Sequence, residues 1–178
     1  ETPLSIYQKL ANLPFSYLLE SVEGGERFGR YSIIGLPSKK RIVIRDDVIE
    51  VIDQNKVIQK EATQNPLDFI QHYLSQFKVP SDIELPRFAG GLAGYFGYET
   101  IQYIESRLKH KKTKDILGVP DILLMLSDEL IVVDNVARKI FIVSYADPSI
   151  QHAYVLGIER LDKLHDQLYQ SIEIQKPH

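Results

Sequence analysis

Arg41-Ile42-Val43-Ile44-Arg45-Asp46-Asp47-Val48-Ile49-Glu50-Val51-Ile52 holds two runs rich in β-branched residues on either side of a polar tip. That pattern reads as a β-hairpin. A further turn over Asp53 to Asn55 leads into Val57-Ile58, so the pairing is expected to continue. Upstream, Tyr31 to Leu36 and the short aromatic-apolar run Phe15 to Ser21 read as two more strands, the second of them buried. Between them lies a polar loop, Val22-Glu23-Gly24-Gly25-Glu26-Arg27. Downstream, Phe88 to Gly97 reads as a glycine-rich strand. Ile122–Leu126, Leu130–Val133 and Lys139–Ser144 read as three more, with Asp134-Asn135 as a tight turn before the last.

Helices punctuate these strands. Thr2-Pro3 and Asn65-Pro66 each pair an N-cap residue with proline at the first helical position. Leu4, Tyr7 and Leu10 follow the first pair at helical spacing, and Leu67, Ile70, Leu74 and Phe77 follow the second. Ile101, Ile104 and Leu108 suggest a short helix. Asp147-Pro148 is expected to open a long final one, with Leu161, Leu164 and Leu168 as its apolar stripe. Strands joined by short turns pair antiparallel, because a parallel pairing needs a crossover of a dozen or more residues. The fold class is therefore α+β: antiparallel sheets with helices packed outside. Residues 1–178 suit one domain, with Pro80 to Pro86 the sole internal linker candidate and no split expected there.

Composition narrows the functional classes. The chain is 44% apolar and 25% charged, which supports a real core, and its formal net charge of −3 gives no drive toward nucleic acid or anionic membrane. No apolar run approaches the roughly 20 residues that span a bilayer. No signal-peptide layout opens the chain. Its zero cysteines exclude disulfides, thiolate metal sites and a cysteine nucleophile, and agree with a reducing cytoplasm, the expected location. The first residue is Glu1 and a helix signal follows at once, so the chain is expected to begin inside a longer reading frame. Its polar end, Gln175 to His178, looks like a cut as well.

Motif by motif, enzyme chemistry does not emerge. Gly91, Gly94 and Gly97 form Gly-x-x-Gly-x-x-Gly, which matches neither the dinucleotide fingerprint nor a P-loop; close backbone packing in a strand is the plainer reading. The basic run Lys109 to Lys114 lacks interleaved aromatics and reads as a solvated loop. The histidines at 72, 110, 152, 165 and 178 show no metal-ligand spacing. Asp46-Asp47 falls at a hairpin tip, where solvation explains it. Glu20 differs: a carboxylate entering a buried strand is costly unless a donor or cation meets it. That partner could be Arg27 or Arg30, or the ammonium of a ligand.

The run Pro14-Phe15-Ser16-Tyr17-Leu18-Leu19-Glu20-Ser21-Val22-Glu23-Gly24-Gly25-Glu26-Arg27-Phe28-Gly29-Arg30-Tyr31-Ser32-Ile33-Ile34-Gly35 resembles the signature of anthranilate synthase component I. Three later blocks fit the same family in order: Arg87 to Glu99, Pro120 to Leu124, and Asp134-Asn135 before a strand. The resemblance implies the N-terminal, regulatory part of that large subunit, within the α/β sandwich of chorismate-using enzymes. It implies that the intact protein is a lyase converting chorismate to anthranilate with Mg2+ and ammonia from a glutamine amidotransferase subunit (component II). The chorismate-binding catalytic domain and the magnesium ligands would follow residue 178, so this chain alone is expected to be inactive and to bind no cofactor.

In that family the Leu-Leu-Glu-Ser motif binds L-tryptophan, the feedback inhibitor. The resemblance therefore assigns tryptophan binding to Leu19, Glu20 and Ser21, with Arg30, Tyr31 and Ser32 on the neighbouring strand. Glu20 would pair with the ammonium, Ser21 would hydrogen-bond the polar end, and Leu19 would pack on the indole. Two other readings are carried: aminodeoxychorismate synthase component I, a sister enzyme, and a stand-alone amino-acid-binding module. No nucleic-acid or membrane partner is expected. Open strand edges would favour a homodimer.

Overall fold

Thr2 caps helix α1 (Pro3–Leu10) through a capping box: its hydroxyl accepts from the Ser5 amide at 3.1 Å, and the Ser5 hydroxyl accepts from the Thr2 amide at 2.9 Å. The structure is a computed structural model describing residues 1–20, 29–79, 83–108 and 117–170. The expected polar loop at 22–27, the basic run at 109–114 and the chain end lie outside the described residues. After α1 come strands β1 (Tyr17–Glu20), β2 (Tyr31–Gly35), β3 (Lys40–Arg45), β4 (Val48–Asp53) and β5 (Lys56–Ala62). Helix α2 (Pro66–Ser75) and β6 (Gly91–Phe96) follow. Two 3-10 turns, Tyr98–Tyr103 and Ser106–Leu108, precede β7 (Ile122–Ser127), β8 (Glu129–Asp134), β9 (Lys139–Ser144) and helix α3 (Ala153–Tyr169).

The strands form two sheets, in the orders β1-β2-β8-β9 and β5-β4-β3-β7-β6. The β3–β4 hairpin forms in the expected place, Arg45 opposite Val48, with Asp46 in the left-handed region that Asp tolerates. Gln54 and Asn55 both take positive φ, the geometry of a tight β4–β5 turn. Short links do not always mean pairing, however. β7 and β8 are separated only by Asp128, yet β7 pairs with β3 while β8 lies between β2 and β9. Likewise β2 and β3 part into different sheets across the four-residue link 36–39.

The chain divides into two compact units: Glu1–Ser38, Glu84–Gly90 and Ser127–His178 in one, Lys39–Ile83 and Gly91–Leu126 in the other. In the first, Ile34, Ile131 and Val133 of the sheet pack with Ile6 and Ala11 near α1 and Leu164 and Leu168 of α3. Each fully buried aliphatic side chain there contributes about 2 kcal/mol. Lys9 Nζ donates to the Leu168 carbonyl at 2.7 Å, satisfying an end group of α3 and complementing its dipole. Arg160 of α3 forks onto Glu129 of β8 at 2.7 and 2.6 Å, fixing the helix along the sheet. In the second unit, Ile42, Ile44, Ile49, Ile122 and Leu124 pack with Ile70 of α2.

Several expectations shift. Ile6, not Leu4, is the buried centre of α1, and Leu4 is exposed. Phe69 and Tyr73, rather than Leu74 and Phe77, join Leu67 and Ile70 against the core: Leu74 faces solvent, and Phe77 lies past the end of α2 at Ser75. Helix α3 begins at Ala153, after turns over Pro148 to His152. The glycine spacing has the packing cause expected of it: a Cβ on Gly94 would lie 2.0 Å from the Leu123 carbonyl oxygen.

Candidate amino-acid site at the end of the four-stranded sheet

Antiparallel pairing sets Glu20 opposite Ser32, Leu19 opposite Ile33 and Leu18 opposite Ile34. β2 in turn sets Ser32 opposite Val133 and Tyr31 opposite Asp134. The motif on β1 and the residues expected on the neighbouring strand are thus brought side by side. Opposed residues share a face, and successive residues alternate. Leu18, Glu20, Ser32 and Ile34 consequently line the face packed by α1 and α3, whereas Leu19, Tyr31 and Ile33 line the other. Leu19 and Glu20 leave the strand in opposite directions. Ser21 lies outside the described residues.

β1 is an edge strand and not the buried strand expected from its composition. Its first two residues are half-buried and its last two exposed, Leu19 at 54%. Tyr17 anchors it: the ring lies over Gly35, where a Cβ would come within 2.1 Å of Cε1, and its hydroxyl meets Ser127 Oγ at 2.7 Å. Burial pushes the Tyr17 phenol up. Glu20, beyond that anchor, carries no hydrogen bond or ion pair among the described residues.

Of the two internal partners considered for Glu20, Arg27 lies outside the described residues and Arg30 is committed elsewhere. Arg30 donates from Nε and Nη2 to Asp134 Oδ2 at 2.9 and 2.7 Å, and its guanidinium sits 5.0 Å from the centroid of the Tyr31 ring. Asp134, only 2% exposed, uses Oδ1 to accept from the Ala137 and Val136 amides at 2.9 and 3.1 Å. Asn135 donates its amide N–H to the Arg30 carbonyl at 2.7 Å, and its Nδ2 reaches the Gly29 carbonyl and Ser32 Oγ at 3.2 and 3.3 Å. Ser32 is 3% exposed and held by that contact. Sequence reasoning saw Asp134-Asn135 as a turn and missed its function as the brace behind Arg30. The available signal was an acidic residue ending an apolar strand, one that must find donors if buried.

The Arg30 hydrogen bond, aided by the Ala137 and Val136 amides, holds the Asp134 carboxyl below its ordinary value against the opposing effect of burial. A depressed folded-state value stabilises the fold above the unfolded-state value, and that stabilisation is lost as pH falls through the folded-state value. The stability gap between wild type and Asp134→Asn should therefore hold near neutrality and close in acid, below the ordinary carboxylate value, as pH falls through the depressed folded-state one. Urea unfolding across that range measures it, and a gap that widens in acid would contradict the assignment.

Chemically, the sheet end carries an exposed carboxylate, Glu20, on β1 and, two residues before its cross-strand partner Ser32, a braced guanidinium stacked on a phenol ring that lines the opposite face. That suits recognition of a zwitterion bearing an ammonium and a carboxylate. Among the described residues, no group of three or more His, Asp or Glu is arranged to hold a metal ion. No helix among them is long and apolar enough to cross a membrane.

No family model matches the chain. It is 52% identical over 177 residues to anthranilate synthase component 1 of Neisseria meningitidis serogroup C, an alignment covering 98% of this chain and 36% of that protein. The protein of the same name from Pseudomonas aeruginosa is 47% identical over 172 residues, covering 97% of this chain and 35% of the relative. Among solved structures, anthranilate synthase component I from Streptococcus pneumoniae TIGR4 superposes with a TM-score of 0.63 over 97% of this chain and 36% of that one. At 23% identity this last likeness concerns the fold, and the paired antiparallel sheets with their helices match it. The chain spans about a third of the length of the relatives it matches.

Proposed function

We propose, from the premise that this chain is homologous along nearly its whole length to one part of anthranilate synthase component 1, that it is the amino-terminal, tryptophan-sensing portion of that enzyme's large subunit. The intact protein would convert chorismate and ammonia to anthranilate in the cytoplasm. A glutamine amidotransferase subunit would supply the ammonia, and Mg2+ would be held by residues outside this chain. The observation that carries the reading is the 52% identity across 98% of the chain to a protein of that name.

The placement of Glu20 beside Ser32 at an open strand end supports the sensing role. Glu20 faces the ammonium of L-tryptophan, and Arg30 and Tyr31 form the adjoining wall, with Leu19 and Ser21 completing the motif. Inhibition then requires tryptophan to bind better to the state that holds chorismate poorly.

Incubating the full-length protein with chorismate, ammonium and Mg2+ should yield anthranilate, followed by its fluorescence, and L-tryptophan should suppress it. Aminodeoxychorismate as the product would instead identify the sister enzyme. A stop codon shortly after residue 178 would favour the stand-alone binding module.

A further inference from the structure

We propose that Asp134 and Asn135 are positioning residues for the amino-acid site, setting tryptophan affinity through Arg30 without touching the ligand. The proposal rests on the tryptophan-sensing reading above. Three observations at the β8–β9 turn carry it.

First, the two oxygens of Asp134 divide their work. Oδ1 closes the turn by accepting the Val136 and Ala137 amides, which fixes the carboxylate plane to the backbone. Oδ2 then presents a fixed acceptor to Nε and Nη2 of Arg30. Second, Arg30 sits just before β2, its side chain 45% exposed, while Asp134 is 3% exposed. Untethered, a long guanidinium side chain at such a position samples many rotamers and loses their entropy on binding a ligand. Tethered, it is held 5.0 Å over the Tyr31 ring. Third, Asn135 clamps the backbone on both sides of the Arg30 side chain, donating to the carbonyls of Arg30 and Gly29. A turn needs none of these reaches across to β2 to close on itself. Together they hold Arg30, a cation at the same end of the sheet as Glu20, so the ligand meets a guanidinium whose ordering cost is already met.

Asp134→Asn separates the two duties, because an amide oxygen can still accept the Val136 and Ala137 amides but no longer carries the charge that holds Arg30. Calorimetry with L-tryptophan on the full-length protein should show affinity falling about tenfold in Asp134→Asn. In an Arg30→Ala background the same change should add nothing, because both act on one element. A role confined to the turn would make the two effects additive, and that result, or an unchanged affinity in Asp134→Asn, would overturn the proposal. Should Asp134→Asn fail to fold, Asn135→Ala leaves the ion pair intact and is expected to lose about threefold; no loss there would overturn it equally. Glu20→Ala serves as the separate arm. If it abolishes binding while Asp134→Asn leaves the affinity unchanged, the positioning role fails and the sensing role stands. If Glu20→Ala binds tryptophan normally, the sensing reading itself fails.

Discussion

Gly94→Ala is expected to cost on the order of 4 kcal/mol or more, enough to unfold the unit containing β3 to β7 at ordinary temperatures. Alanine adds one carbon, but that carbon would lie 2.0 Å from the Leu123 carbonyl oxygen and 3.0 Å from both the Leu123 carbonyl carbon and the Leu124 Cα. All three are backbone atoms of β7, so no rotamer change relieves the clash. β7 cannot withdraw cheaply either. It lies between β3 and β6, and Ile122 and Leu124 are 0% and 3% exposed in the core shared with α2. The strands would have to separate, giving up their pairing and opening the core. Gly157 gives the contrast. In mid-α3 its added Cβ would meet only the Ala146 Cβ at 3.7 Å, an ordinary contact, so Gly157→Ala should stabilise by about 0.5 to 1 kcal/mol. Thermal unfolding of both variants against wild type provides the comparison. A Gly94→Ala protein that melts with the wild type would refute the close approach of β6 to β7.

Glu20→Ala in the full-length protein should weaken tryptophan inhibition at least about 30-fold, the scale of removing one partner from a charged, hydrogen-bonded contact. The same change should leave stability within about 0.5 kcal/mol of wild type. The second expectation follows from the structure. Glu20 is exposed at the end of an edge strand and makes no ion pair among the described residues, so no contact among them goes with the carboxylate. Half-inhibition by L-tryptophan, read against the tryptophan-free rate of each protein, measures the first effect, and urea unfolding measures the second. A Glu20→Ala enzyme that stays fully sensitive to tryptophan would remove Glu20 from the site. A large fall in stability would show that the carboxylate has a structural partner instead.

The strands were legible because their cause is local. Ile42 to Ile44 and Val48 to Ile52 announce a hairpin through β-branched runs and a polar tip, and Gln54-Asn55 announces the next turn. What stayed hidden was allocation to sheets. Nothing about Ser127-Asp128-Glu129 reveals that the chain changes sheets there, since that choice depends on partners roughly 80 to 100 residues upstream. The edge position of β1 was hidden for the same reason. Tyr17-Leu18-Leu19 is apolar enough for a core strand, but among the described residues only β2 flanks it. At the site, resemblance supplied the ligand and pairing supplied the neighbours. Asp134 went unassigned because a turn aspartate and a buried brace look alike until the long-range partner is known.

The switch of sheets at Asp128 also orders events in time. β2 cannot gain its second neighbour until β8 exists, and Arg30 meets Asp134 across 104 positions of chain. During synthesis the segment 39–126, which holds the whole of one unit, emerges while β1 and β2 still lack half their sheet and the helix α3 that covers it. The β1–β2 edge thus waits on the far end of the chain, its sheet completed only when the ribosome has delivered Asp134 and the residues behind it.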